Sequence, residues 1–166
     1  ILGDGPLRSQ IETLASTLGL TDRVIFPGFQ PYQVLAEYYA GADALIHAST
    51  TEQWGLVVNE AMASGLPVLV SKKVGCRYDL VSEGRNGYLF DPFSVEDMAR
   101  AMGEMASLSD PERDAMGERS RAIVSDYGPE RFARGLHMAI EAARKGTSAG
   151  TRKPLRKERT GCASCA

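Results

Sequence analysis

The sequence contains no run of about 18 apolar residues, and its first residues form neither a basic n-region nor a long apolar stretch, so neither a helical membrane span nor a signal peptide is read from it. Cysteine is scarce. There are three in 166 residues, two of them within the last five, which excludes a disulfide framework. An excess of positive charge is also missing: 19 Lys+Arg stand against 21 Asp+Glu, net -2, unlike the strongly basic balance of a duplex nucleic-acid binder. No nucleic-acid partner is expected, and the default compartment is cytoplasmic. What is present is a globular balance, 43% hydrophobic and 24% charged, sufficient for one domain with its own core.

Along the chain, short apolar runs alternate with helical patterns. Ile1-Leu2 precede the turn signal Gly3-Asp4-Gly5-Pro6, so the chain reads as entered inside a strand. Ile11, Leu14, Ala15 and Leu18 keep the spacing of one helix face, and Gly19 stands where a C-terminal cap belongs. Residues 24–26 (Val-Ile-Phe) read as a buried strand before Pro27-Gly28, and Val34, Leu35, Tyr38 and Tyr39 resume a helical face up to Gly41. Further strands are predicted over 43–49, 67–70 and 87–90, with helices over 56–64 and 76–83 between them. Three helical patterns follow, starting at Ser94, Asp110-Pro111 and Pro129. Alternating short strands and helices imply a doubly wound α/β domain with a Rossmann-like parallel sheet and trailing helices, spanning residues 1–145.

From Gly146 the periodicity stops. Residues 146–166 hold five Lys/Arg, one Glu and little that is apolar, a composition that predicts a disordered basic tail able to touch an anionic membrane surface. Cys162 and Cys165 have C-x-x-C spacing, which is half of a zinc site and lies outside the strand-helix region where a redox motif would belong, so no metal is expected.

The chemistry concentrates in residues 49–71, STTEQWGLVVNEAMASGLPVLVS. A strand runs into a polar loop, and a helix then starts at a glycine, which places a helix amino terminus at the carboxyl edge of the sheet. Backbone N–H groups around Trp54, Gly55, Leu56 and Val57 suit a phosphate or diphosphate, and Gly55 allows close approach. Glu52 and Glu60 flank that pocket. An ionised carboxylate only accepts hydrogen bonds, so it suits sugar hydroxyls rather than phosphate, and the combination suggests a nucleotide sugar. From spacing alone three readings stand: a sugar-nucleotide site, a helix-end acid beside a solvated Glu60, or a glycosidase acid/base pair. Lys72, Lys73 and Arg77 read as solvated, and His47 as a structural histidine.

These residues resemble a known family. Glu52-Gln-Trp-Gly55-Leu-Val-Val-Asn-Glu60-Ala-Met-Ala-Ser-Gly65-Leu-Pro67-Val looks like the E-x7-E signature and the A-x-G-x-P-V that follows it in the retaining, GT-B-fold glycosyltransferases of family 4. Gly3-Asp4-Gly5-Pro6, Gly28-Phe29, Gly75 with Asp79, and Asn86-Gly87-Tyr88-Leu89 resemble that family's landmarks in order. The resemblance covers residues 1 to about 145 and implies the carboxy-terminal, donor-binding half of a GT-B enzyme, with an amino-terminal acceptor domain of the same polypeptide as its partner. Carried over by position, Glu60 would hold the ribose hydroxyls and Glu52 the transferred sugar, the catalytic position. Trp54, Gly55, Leu56 and Val57 would lie near the diphosphate, and Phe29 and Gln30 near the base.

The resemblance further implies hexosyl transfer with retention, no metal or other cofactor, and action in the cytoplasm or at the inner membrane face. The family's Arg and Lys to the diphosphate would lie upstream of Ile1, which implies little transfer by this segment alone. Cys76 departs from the pattern, standing where a second glycine often occurs. Two alternatives remain at this point: a GT-B sugar-nucleotide epimerase and a non-catalytic nucleotide-binding module. A dinucleotide oxidoreductase fits less well, because Gly3-Asp4-Gly5-Pro6-Leu7-Arg8 does not complete G-x-G-x-x-G.

Overall fold

Strands of three or four residues form the centre of the computed structural model, which describes residues 1–147. In chain order the elements are α1 (Arg8–Thr17), α2 (Tyr32–Ala40), β1 (Leu45–His47), α3 (Leu56–Ala63), β2 (Val68–Ser71), α4 (Arg77–Leu80), β3 (Gly87–Phe90), α5 (Val95–Ser107), α6 (Asp110–Ser125) and α7 (Pro129–Thr147). The three strands lie in the order β1-β2-β3 and are all parallel, with Leu45 opposite Val68 and Ser71 opposite Phe90. Parallel neighbours require crossovers, and α3 and α4 are those crossovers.

Every residue of β2 is buried, so both faces of the middle strand are covered, as a strand reading Val-Leu-Val requires. Because side chains alternate, Leu69 and its neighbours Tyr88 and Phe90 share one face, where they meet Ala101 and Met105 of α5 and Met116 of α6. Fully burying a side chain such as Phe90 contributes about 1.5–3 kcal/mol. α3 packs against β1, β2 and α6, with Val58, Ala61 and Met62 fully buried. Its end is a Schellman motif: Gly65, at φ +86°, donates to Met62 O, and Leu66 donates to Ala61 O. Arg121 of α6 donates to Ser64 O at 2.9 Å, and Gly117 lies so close that a Cβ would fall 2.0 Å from Gly65 O. The carboxyl end of α3 is therefore fixed.

The expected strand over 24–26 does not form. Leu2 makes one isolated bridge to Gly28, and the amino group of Ile1 donates to Ile25 O at 2.7 Å. A single rung is not a ladder, and Ile25 is 75% exposed, so no burial favours extending it. The expected strand over 43–49 shortens at both ends to β1, its last two residues leaving the ladder for the loop that leads to α3. The remaining predicted strands and helices are present within a few residues of their expected ends.

By its own contacts the chain divides into a unit of residues 1–125 and a second that begins at Asp126. In the second, the Arg131 guanidinium lies 4.1 Å over the Tyr127 ring, and α7 runs for 19 residues without burying any side chain described. The expected disorder of 146–166, and the residues Cys162 and Cys165, lie outside the residues described apart from the last helical turn of α7. No helix among the described residues is long and apolar enough to cross a membrane.

Candidate functional site

Loop 49–55 is held against the segment after β2 by its backbone. Glu52 bridges Val74, Gly75 N donates to Glu52 O at 3.0 Å, and Cys76 N donates to Trp54 O at 3.1 Å. Gly75 is required for this approach, since a Cβ there would sit 1.8 Å from Gln53 O. Cys76 is fully buried, and burial pushes its thiol up to about 11, so it behaves as an inert core group.

This docking sets the start of α3. Gly55 adopts φ +96°, and its missing Cβ would lie 2.9 Å from Val74 Cγ1, so both backbone conformation and space demand glycine. No side chain caps this helix, and its first turn contains no acidic residue. Leu56 and Val57, the first two helical residues, are exposed. The helix start expected at this glycine is therefore formed and carries no side-chain cap, with its dipole directed at the loop.

Both glutamates flank it. Glu60, on the second turn of α3, is half-buried, and one of its oxygens accepts from Tyr39 Oη at 2.9 Å. Burial first, and then the Glu60 carboxylate, push the Tyr39 phenol up to about 12, so it remains a donor throughout the neutral range. Glu60 is thus oriented by α2 rather than solvated, and its other oxygen remains suited to a hydroxyl donor. Glu52 is half-buried in the pinned loop. Its Cγ and His47 Nε2 lie 3.4 and 3.6 Å from the point where a Gly55 Cβ would be. His47 Nε2 is buried without a hydrogen-bond partner, and burial lowers the pKa of the ring against the opposing pull of Glu52, so the imidazole is neutral at pH 7.

The Trp54 indole N–H donates to Asn59 Oδ1 at 2.8 Å, which ties the loop to the first turns of α3. Phe29 is 78% exposed at the tip of the turn whose Gly28 takes φ +76°. Gln30 donates its carboxamide N–H to Pro27 O at 2.8 Å and lines a cavity of about 290 Å³ with Val34, Glu37 and Tyr38 of α2. The structure thus joins Glu52, Trp54, Gly55, Leu56, Val57 and Glu60 in one loop-helix unit and puts Phe29 and Gln30 on a separate turn.

Two of the three cations that follow β2 have other tasks. Lys72 pairs with Asp97 at 3.1 Å, and Arg77 donates to Val74 O while lying 3.8 Å over the Tyr78 ring. Lys73 is exposed. Sequence reasoning missed Tyr39 as a partner of Glu60. It named Asn86 as a landmark without a role: this fully buried side chain accepts from Ser82 N at 2.7 Å and donates to Leu80 O at 3.0 Å, which fixes the turn before β3. Their only sequence signals are an aromatic on an apolar helix face and an Asn-Gly pair.

Among characterised proteins, sulfoquinovosyl transferase SQD2 of Arabidopsis thaliana is 34% identical over 130 residues, which is 76% of this chain and 24% of that protein. The solved sucrose-phosphate synthase of Thermosynechococcus elongatus aligns with a TM-score of 0.71 at 30% identity, covering 90% of this chain and 39% of its own. Anabaena Alr3699/HepE, solved in complex with UDP-glucose, aligns with a TM-score of 0.72 at 25% identity, over 85% of this chain and 40% of its own. The chain therefore spans about a quarter to two fifths of the length of these relatives. Residues 1–123 match the family described as glycosyl transferases group 1. A parallel sheet whose uncapped helix start lies between two carboxylates, matched over three quarters of its length, makes this chain a member of the group 1 glycosyl transferases.

Proposed function

We propose that the chain is the carboxy-terminal, donor-binding half of a family 4 transferase that moves a hexosyl unit from a nucleotide-diphosphate sugar to an acceptor with retention. The observation that carries this reading is the uncapped start of α3 between Glu52 and Glu60. Glu60, oriented by Tyr39, accepts from the ribose hydroxyls, and Glu52 accepts from the hydroxyls of the transferred sugar. The N–H groups at Trp54, Gly55, Leu56 and Val57 face the diphosphate, and Phe29 and Gln30 lie toward the base. As the bond from the anomeric carbon to the diphosphate breaks, the leaving group takes the bonding pair and the sugar gains oxocarbenium character. The acceptor hydroxyl adds on the same face and passes its proton to the leaving oxygen. Preorganised N–H donors at that oxygen lower the barrier without a metal. The acceptor domain and two further phosphate cations belong to the remainder of a longer polypeptide that acts in the cytoplasm. UDP-glucose in the solved Anabaena relative supports this class of donor.

Calorimetric titration with UDP, GDP and ADP and their hexose conjugates tests the reading. One nucleotide is expected to bind, with Glu60→Ala weakening it about tenfold or more and Glu52→Ala removing only the extra affinity of the conjugate. Equal binding of nucleotide and conjugate, unchanged by Glu52→Ala, would instead mark a nucleotide-binding module.

A further inference from the structure

We propose that His47 is a positioning residue for Glu52: its Nε2–H donates to one oxygen of the Glu52 carboxylate when the transferred sugar is seated, leaving the other oxygen to the sugar hydroxyls. This role rests on the donor reading above. It starts from two complementary groups left over beside the start of α3. His47 Nε2 is buried and has no hydrogen-bond partner. The Glu52 carboxylate is half-buried, and among the described residues no group donates a hydrogen bond to it. Both groups border the space over Gly55, where a Cβ would lie 3.6 Å from Nε2 and 3.4 Å from Glu52 Cγ. Glycine leaves that space open.

A buried polar atom without a partner destabilises a fold, and in a native protein it calls for an explanation beyond packing. The backbones of both residues are fixed: His47 is held in the ladder opposite Val70, and Glu52 O accepts from Gly75 N. What remains free is the rotation of the two side chains. The contact needs the tautomer that carries its proton on Nε2, and a bond from that nitrogen to a carboxylate is a charge-assisted one. Among the described residues Glu52 is the charge that acts on the ring, against the burial that lowers its pKa. The charged and titratable groups of the neighbouring elements are engaged elsewhere: Glu60 of α3 with Tyr39, Lys72 with Asp97, and the Cys76 thiol protonated. A carboxylate held by one oxygen presents the other in a fixed direction, which is what recognition of a sugar hydroxyl requires.

The chain has two histidines, His47 and His137, so the ring nitrogens of isotope-labelled protein can be followed by NMR, with His137→Gln identifying the second signal. UDP-glucose is expected to shift the Nε2–H signal of His47 and to raise the ring's titration midpoint toward its ordinary value of about 6.5, because a paired carboxylate favours the imidazolium. UDP alone should do neither, and Glu52→Gln should abolish the response. By calorimetry, His47→Phe, which keeps a ring but has no nitrogen, should lose about tenfold in affinity for UDP-glucose and nothing for UDP. It should also melt about a few degrees higher, since the orphaned atom is gone. His47→Gln, whose amide nitrogen stands in for Nε2, should recover most of the lost affinity. The proposal is overturned if UDP-glucose binds without a response from His47, if His47→Phe binds it as the parent chain does, or if His47→Gln is as weak as His47→Phe. If neither UDP nor UDP-glucose binds, the donor reading falls and this role falls with it.

Discussion

Two helices of the same unit begin in opposite ways. At α5 the Ser94 hydroxyl accepts from Asp97 N at 3.1 Å, and Glu96 and Asp97 place carboxylates in the first turn. Asp97 also accepts from Asp91 N, Arg100 and Lys72, in that order of effect on its carboxyl, which titrates far below the usual carboxylate range. At α3 none of this is present: the first residue follows a left-handed glycine, and no acid or hydroxyl side chain answers the helix. The chain can satisfy a helix start with its own groups, so leaving one open has a consequence. Val58 N–H already donates to Gly55 O at 3.0 Å, and the rest of the positive helix end is left without a side-chain acceptor, as the proposed diphosphate site requires.

The contrast can be broken from either side. The largest effect should come from Gly75→Ala, because the new methyl would overlap Gln53 O and force loop 49–55 off its seat. A loss of about 2–4 kcal/mol in urea unfolding is expected, together with loss of nucleotide binding by calorimetry. Next, Leu56→Glu would give the exposed first residue of α3 the acid that α5 has. It should weaken binding of a nucleoside diphosphate about tenfold while raising stability by a few tenths of a kcal/mol. The converse change, Ser94→Ala, should cost about 1 kcal/mol and lower the melting temperature by a few degrees without changing ligand affinity.

The smallest effect at neutral pH belongs to the Tyr39 contact. The folded pKa of this phenol lies above its unfolded value of 10, at about 12. Its contribution is therefore complete below pH 10 and disappears as pH rises toward 12. Tyr39→Phe should leave the melting temperature less sensitive to pH in that window, as read by thermal scans of both proteins.

What was legible in the sequence followed locality. The Schellman ends of α1 and α3, the cap at Ser94 and the apolar strands β2 and β3 are each specified by residues within a few positions of one another. The start of α3 was legible for the same reason, since Gly55 and the two glutamates lie within nine residues. The misread elements are long-range. Val24-Ile25-Phe26 has the composition of a strand, but only tertiary pairing could make it one, and just one bridge forms. The bond from Tyr39 to Glu60 crosses 21 positions and that from Lys72 to Asp97 crosses 25. No spacing rule reaches so far. His47 was expected to be a structural histidine, yet its Nε2 is left without a partner, a property that only burial in three dimensions exposes.

Cys76 gives the molecule a built-in timer. Its thiol is sealed and protonated, while its backbone N–H holds Trp54 O in the loop that carries Glu52. A thiol reagent can reach it only during moments of local opening, so its labelling rate counts those moments. With Cys162 and Cys165 replaced by serine, a ligand that seats on α3 should slow the labelling in proportion to its occupancy. Cys76, the one cysteine among the described residues, would then report on the site without touching anything bound there.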